Sequence, residues 1–219
     1  MTTTPFDLSQ TDRLLTTTRS VRKRLDFGRP VPRDVVLECL GVATQAPTGG
    51  NSQPWRWLVV DDPRVKAQIG ELYKKAHDPY MAANRETAEQ AGRAEVMGSI
   101  MDSSQYLADH MHEVPVMVIP CLLGRPEGLS QGEVAGLYGS ILPAVWSLML
   151  ALRSRGLGSA WTTLHLAFET EAAEVLGIPD TVTQTLLIPV AYYTGTGFKP
   201  APRKPIEDVT YFNRWKQRA

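Results

Sequence analysis

Two arginines around a hydroxyl, Arg19-Ser20-Val21-Arg22, form the first group in this chain whose types and spacing suit a defined chemistry. A guanidinium presents planar donors that can grip two phosphate oxygens at once, and the serine offers a further contact. The second group is the loop Pro47-Thr48-Gly49-Gly50-Asn51-Ser52-Gln53. Its small residues let the backbone come close to a flat ring, and its amides can donate or accept at the ring edge. The third is Arg203, a cation in a proline-rich tail, where a stiff extended backbone can hold it over a site. Taken singly, each has a plainer reading: solvated surface charge, an ordinary turn, a tail charge in water.

Other chemistries lack their residues. The chain contains no GxSxG elbow, no GxxxxGK[ST] phosphate loop and no GxGxxG after a strand. Of the histidines His77, His110, His112 and His165, the pair at 110 and 112 stands two apart in a helical stretch, which turns the rings to different faces. No metal site is expected on that ligand set. Cys39 and Cys121 sit in the apolar runs VVLECLG and VIPCLLG and read as small buried hydrophobes. No serine or cysteine has the setting of an activated nucleophile.

The elements that must position these groups follow from periodicity. A short helix is expected over Gln10–Thr18, and a second over Asp34–Ala46 with Val35, Val36, Cys39, Leu40 and Ala43 on one face. The breaker at 46–54 hands over to a strand, Trp55–Val60. Asp62-Pro63 reads as a helix cap and first turn, with Val65, Ile69, Leu72, Tyr73 and Ala76 on the buried side. The polar stretch 78–105 reads as a helical excursion or lid. A helix through Tyr106, Leu107 and Met111 leads to a strand, Val114–Cys121.

A long helix is expected over Gln131–Arg155, kinked or shifted in its start by Pro143 and stopped at Gly156-Leu157-Gly158. Ser159–Thr163 should be a strand and its exit, Glu169–Leu176 a short helix, and Val182–Tyr193 the strongest strand. From Thr194 the glycine- and proline-rich tail should run as an extended arm over 194–219. The mixture without regular alternation favours α+β, in one domain spanning 1–219.

Lys plus Arg and Asp plus Glu are both 23, and the resulting zero net charge gives no general attraction for nucleic acid or an anionic membrane. The N-terminal residues have neither a basic start nor an apolar run, so no signal peptide is expected and a cytoplasmic location follows as the default. Val134–Leu152 carries no charge and just reaches the roughly 18 residues a bilayer requires. Its glycines, serines and Pro143 favour instead a helix buried in a core or a subunit interface.

The order of the three groups carries more than any one of them. TRSVRKRLDFGRPVP followed by APTGGNSQPWRWLVV resembles the nitroreductase family, which typically reads RRSxRxF, a helix, then APSxxNxQPW before a strand. YLADHMHEVPVMVIPC, RGLGSAWTT and APRKPIEDV are similar to later family elements in family order, so the likeness covers about residues 12–215. It implies a nitroreductase-like α+β fold: a central, mostly antiparallel sheet flanked by helices, in a domain-swapped homodimer with an extended C-terminal arm.

By that resemblance Arg19, Ser20 and Arg22 bind the phosphate and ribityl chain of FMN, joined at the phosphate by Arg203. Pro47, Thr48 and Asn51 come from the second subunit to the isoalloxazine ring, and Trp161, Thr162 and Thr163 lie near its pyrimidine and N5. The implied activity is ping-pong transfer of two electrons from NADH or NADPH through FMN to a nitroaromatic, quinone-like or other oxidised small molecule. Thr162 or Thr163 would tune N5. Thr18 stands where many members have an arginine, Arg24 where an aromatic is common, and Thr48 where serine is usual. Two alternatives remain open: a flavin-storage protein without turnover, and a dehalogenating or flavin-cleaving relative whose lid uses His77, Tyr80, Asn84, Arg85 or Glu86.

Overall fold

The computed structural model describes residues 5–92 and 94–218; position 93 of the expected lid, and the side chains of 94–96, lie outside the described residues. Two compact units divide the chain: one combines the N-terminal residues through Thr18 with Thr196 onward, and the other spans Arg19–Gly195. In the terminal unit α1 covers Leu8–Thr17, opened by the Asp7 carboxylate accepting from the Gln10 N–H at 3.2 Å. Its tail has a 3-10 turn at Ile206–Val209 and a further turn over 212–217, where the Phe212 N–H donates to the Gln217 carbonyl at 2.7 Å, and the Tyr211 and Trp215 rings meet edge-on at 4.8 Å.

The larger unit begins with β1 (Leu25–Asp26) and α2 (Arg33–Ala43), then β2 (Trp55–Val60), the strand expected from its apolar run. In α3 (Pro63–Gln90) the Asp62 carboxylate caps the Arg64 and Val65 N–H groups and Pro63 fills the first turn, as the sequence predicts. The helix does not stop at 78. It runs on to Gln90, and α4 (Ala94–Asp109) returns beside it, so the polar excursion is a helical hairpin. Met81, Ala88 and Met101 form a small apolar cluster in that hairpin, and Lys74 bonds Asp109 (2.6 Å) and Asp78 (3.2 Å).

Next come β3 (Val116–Leu123), α5 (Gln131–Gly139) and α6 (Leu142–Ser154). The single long helix expected here is divided at Ser140–Ile141. Pro143 sits in the first turn of α6, where a missing N–H leaves no helical bond unmade. Gln131–Ser154 as a whole is long and apolar enough to cross a membrane by length and composition. In the fold, however, α6 puts Ala144, Val145, Leu148 and Leu152 into the main core.

After β4 (Leu157–Ser159), α7 (Glu169–Leu176) ends on Gly177 in the left-handed region, φ 65°. The expected strand 182–193 is interrupted, giving β5 (Val182–Gln184) and β6 (Ile188–Tyr193). The cause lies between them: Thr185 bonds the Pro120 carbonyl through both its N–H and its hydroxyl, while Leu187 turns to pair with Thr162.

The sheet runs β1-β6-β3-β2 with every named strand pair antiparallel; β4 also pairs with β6, and β5 with β3. β3 is central and buried on both faces, which is why its sequence reads as a continuous apolar run. Val116, Val118 and Leu122 point from it into the core shared with Val36 and Leu40 of α2 and Leu148 of α6. Truncating a fully buried leucine such as Leu148 to alanine should cost about 2–5 kcal/mol. Cys39 and Cys121 are both fully buried free thiols, as expected from their settings.

Candidate functional site

The Arg19–Arg22 turn is fastened to β4. The Val21 N–H donates to the Ser159 carbonyl at 2.8 Å, and Ser20 bridges Ser159 in a short parallel pairing. Gly158 makes this approach possible, because a β carbon there would lie 3.0 Å from Val21 Cβ and 3.1 Å from Leu25 Cδ2. Read as the end of a helix terminator, Gly158 has a second and more specific function; Gly156, at φ 78°, is the residue that ends the helix.

Arg22 is half-buried, and burial lowers its pKa from the ordinary guanidinium value. Among the described residues no carboxylate lies within ion-pairing distance of it, whereas Arg33, Arg125 and Arg155 each hold one. A guanidinium stripped of part of its water and left without a counter-ion is a binding group for an exogenous anion. Burial pushes the pKa of Tyr73, on α3, up to about 12 against the opposing pull of Arg22 and Thr162.

The Trp161–Thr163 segment leaves β4 and crosses to the interruption before β6. Thr162 is buried and fully engaged: its N–H and hydroxyl both donate to the Leu187 carbonyl, at 3.2 and 2.6 Å, and its carbonyl accepts the Leu187 N–H at 2.9 Å. Trp161 is half-buried against the main core, and Thr163 is exposed at the start of a 3-10 turn, Leu164–Phe168. The hydroxyl of Thr163 is thereby the one that remains open to a ligand. Behind it His165 is fully buried with neither ring nitrogen partnered among the described residues, and burial pulls its pKa down to about 4.

The Pro47–Gln53 loop is anchored separately, on the end of α5, where the Gly49 N–H donates to Ser140 Oγ at 3.2 Å. Gly50, Asn51 and Gln53 all have positive φ (57°, 52° and 47°), a conformation that costs free energy at the two non-glycine positions. The Thr48 hydroxyl accepts the Gln53 N–H at 3.1 Å, and the Asn51 side chain accepts from the Gln53 amide at 3.2 Å. The loop is thus preformed, and exposed at Pro47 and Asn51. Arg203 belongs to the terminal unit, where its Nη1 donates to the Pro202 carbonyl at 2.9 Å.

The Arg19–Arg22 turn is therefore held against β4, while Thr162, just beyond that strand, is tied to Leu187. Arg24 is structural: its Nε donates to the Thr194 carbonyl at 2.7 Å while its guanidinium lies 5.6 Å from the Tyr193 ring centre. Sequence reasoning missed the part of Gly158 by reading it only as a piece of a helix terminator. Among the described residues no group of three His, Cys, Asp or Glu side chains could hold a metal.

A family model described as the nitroreductase family matches residues 15–192. An NADH dehydrogenase of Thermus thermophilus is 30% identical over 207 residues, covering 87% of this chain and 90% of the relative. An iodotyrosine deiodinase of Thermotoga neapolitana is 26% identical over 193 residues, covering 87% and 91%. Among solved structures, an oxidised iodotyrosine deiodinase bound to FMN and 3-iodo-L-tyrosine superposes with a TM-score of 0.70 at 23% identity, covering 92% of this chain and 98% of that one. The last likeness establishes the fold.

Proposed function

Because the chain belongs to the nitroreductase family, we propose that it is an FMN-dependent oxidoreductase, taking electrons from NADH or NADPH and passing them to an oxidised small molecule. The observation that carries this reading is the half-buried Arg22 guanidinium without a carboxylate, fixed by β4 beside the Ser20 bridge. Such a donor set fits a phosphate monoester, and the FMN bound by the deiodinase of like fold supports that choice of anion.

In this reading Arg19, Ser20 and Arg22 hold the phosphate and ribityl chain, with Arg203 as a further cation. Trp161 flanks the ring, Thr162 anchors the segment, and Thr163 offers its free hydroxyl toward N5. Pro47, Thr48 and Asn51 reach the ring from a second copy of the chain. When bound, FMN supplies the redox chemistry, and the protein supplies orientation and exclusion of water. The NADH dehydrogenase relative supports a nicotinamide donor.

A homodimer is part of the proposal. Leu37 and Val42 of α2 and Trp146 of α6 are 62%, 48% and 38% exposed, and a surface with so much apolar side chain calls for a partner. In the terminal unit Ile206, Phe212 and Trp215 are likewise exposed, which suits an arm that lies on another subunit.

A second acceptor class is favoured by the deiodinase relative: a halogenated aromatic such as 3-iodotyrosine. The deciding experiment is an absorption spectrum of the purified protein, followed anaerobically on adding NADPH and then NADH. Flavin bands that one nucleotide bleaches within seconds are expected, with FMN as the released cofactor. A colourless protein that takes up no added FMN overturns the proposal. Iodide release from 3-iodotyrosine without reduction of nitroaromatics would transfer the assignment to the second acceptor class.

A further inference from the structure

We propose that Ser140 is a positioning residue for the flavin: its hydroxyl, at the break between α5 and α6, holds the Pro47–Gln53 loop where Thr48 and Asn51 meet the ring edge. The inference rests on the FMN reading above, and it joins Ser140 to Gly49 across 91 residues of chain.

Among the described residues, the bond from the Gly49 N–H to Ser140 Oγ is the only hydrogen bond that joins 47–53 to another element. The other bonds of the loop close on itself. The Asn51 and Ser52 N–H groups donate to the Thr48 and Gly49 carbonyls, both at 3.1 Å, and the Gln53 N–H donates to the Thr48 hydroxyl. The loop therefore keeps its shape by its own bonds, and between its covalent ends Ser140 supplies its polar tie. That acceptor is firmly placed, since Ser140 is 4% exposed and the next residue, Ile141, is fully buried in the main core.

The direction of each proton follows. Ser140 has one hydroxyl proton and gives it to the Gly136 carbonyl at 2.8 Å, so toward Gly49 its oxygen is the acceptor. Within the loop, the Thr48 oxygen and Asn51 Oδ1 both accept from Gln53. The Thr48 hydroxyl proton and the Asn51 side-chain N–H groups then have no acceptor among the described residues. The loop presents donors, and donors placed at the edge of a flavin favour its electron-rich form.

Removing the Ser140 hydroxyl should leave folding almost untouched. The Gly136 carbonyl keeps the Ser140 N–H at 3.1 Å, and Gly49 is exposed, so its freed N–H can take water. No buried polar group is stranded, which is the condition under which a lost hydrogen bond costs little. A serine that served only the helix end would be nearly silent on substitution; this one should be felt at the flavin.

The test titrates full-length wild type and Ser140→Ala with FMN and with riboflavin, which lacks the phosphate. The midpoint potential of bound FMN and thermal unfolding without flavin are measured beside it. Loss of one neutral hydrogen bond should weaken both flavins by the same factor, about fivefold, because the loop meets the ring and not the phosphate. The potential should fall as the donors loosen, and the unfolding temperature should stay near wild type.

Should Ser140→Ala fail to fold, Ser140→Cys takes its place, because sulfur keeps the side chain in position and accepts only weakly. Unchanged affinity and potential would overturn the role of Ser140 alone, as would a loss confined to FMN or matched by a large fall in unfolding temperature. A wild-type protein that takes up neither flavin overturns the FMN reading and this inference together.

Discussion

Gly158 and Val21 are in the closest packing that a glycine permits: a β carbon on Gly158 would meet both Cβ and Cγ1 of Val21 at 3.0 Å. The contact holds the turn carrying Arg22 flat against β4, so a backbone vacancy in one strand fixes the height of a cation contributed by another segment. Gly158→Ala should displace Val21 and Leu25 by a few tenths of an ångström and cost about 1–3 kcal/mol. Chemical denaturation would measure the cost, and FMN titration should show weakened binding. Unchanged stability and unchanged FMN affinity would mean that the turn is free to move.

Arg22 should contribute to FMN affinity through the phosphate and little to folding. Arg22→Gln keeps most of the stem and removes the charge; it should weaken FMN by at least tenfold, since a charged hydrogen bond is worth about 1.5–3 kcal/mol. Riboflavin binding should barely change. Equal losses for the two flavins would place Arg22 away from the phosphate.

His165 should make stability depend on pH. Its pKa is about 4 in the folded protein against an ordinary 6.5, so the unfolded chain binds more protons between those values. Its stabilisation is present in full above pH 6.5 and is lost as pH falls toward 4. The loss amounts to roughly 3 kcal/mol by linkage. Urea midpoints at pH 7 and 4.5 would show it. His165→Leu should flatten the dependence and, because neither ring nitrogen has a partner among the described residues, cost little at pH 7. A slope unaltered in His165→Leu would assign it to other groups.

Trp146 and Leu37 should lie in the subunit interface. Trp146→Glu should produce a monomer in sedimentation analysis that has also lost its flavin, because the Pro47–Asn51 loop is assigned to the neighbouring copy. A monomer that retains FMN at wild-type affinity would confine the site to one chain, and a persistent dimer would locate the interface elsewhere.

Local chemistry made much of the fold legible. Trp55–Val60 and Glu169–Leu176 have the bounds that their apolar spacing and turn residues predict, and Asp62-Pro63 opens α3 as a cap and first turn. Those features depend on neighbours in the chain. The limits appeared where a distant segment intervened: Thr185 and Leu187 break a strand of high local propensity to meet Pro120 and Thr162, and Ser140–Ile141 divides a run that periodicity reads as one helix. The polar stretch after Asp78 became a hairpin because α4 supplies partners for Lys74 and His77 that lie 35 and 27 residues away.

By itself the sequence determined the family, the α+β class and the residue types suited to a phosphate and a flat ring, since those are written in short motifs and their order. Only the tertiary structure decided which of those residues stand together. The Pro47–Gln53 loop is anchored at the end of α5, and the Arg19–Arg22 turn is fastened to β4. Gly158 entered the site through packing. An absent side chain acquires a function only from what the fold places against it, and it carries no motif that spacing could reveal.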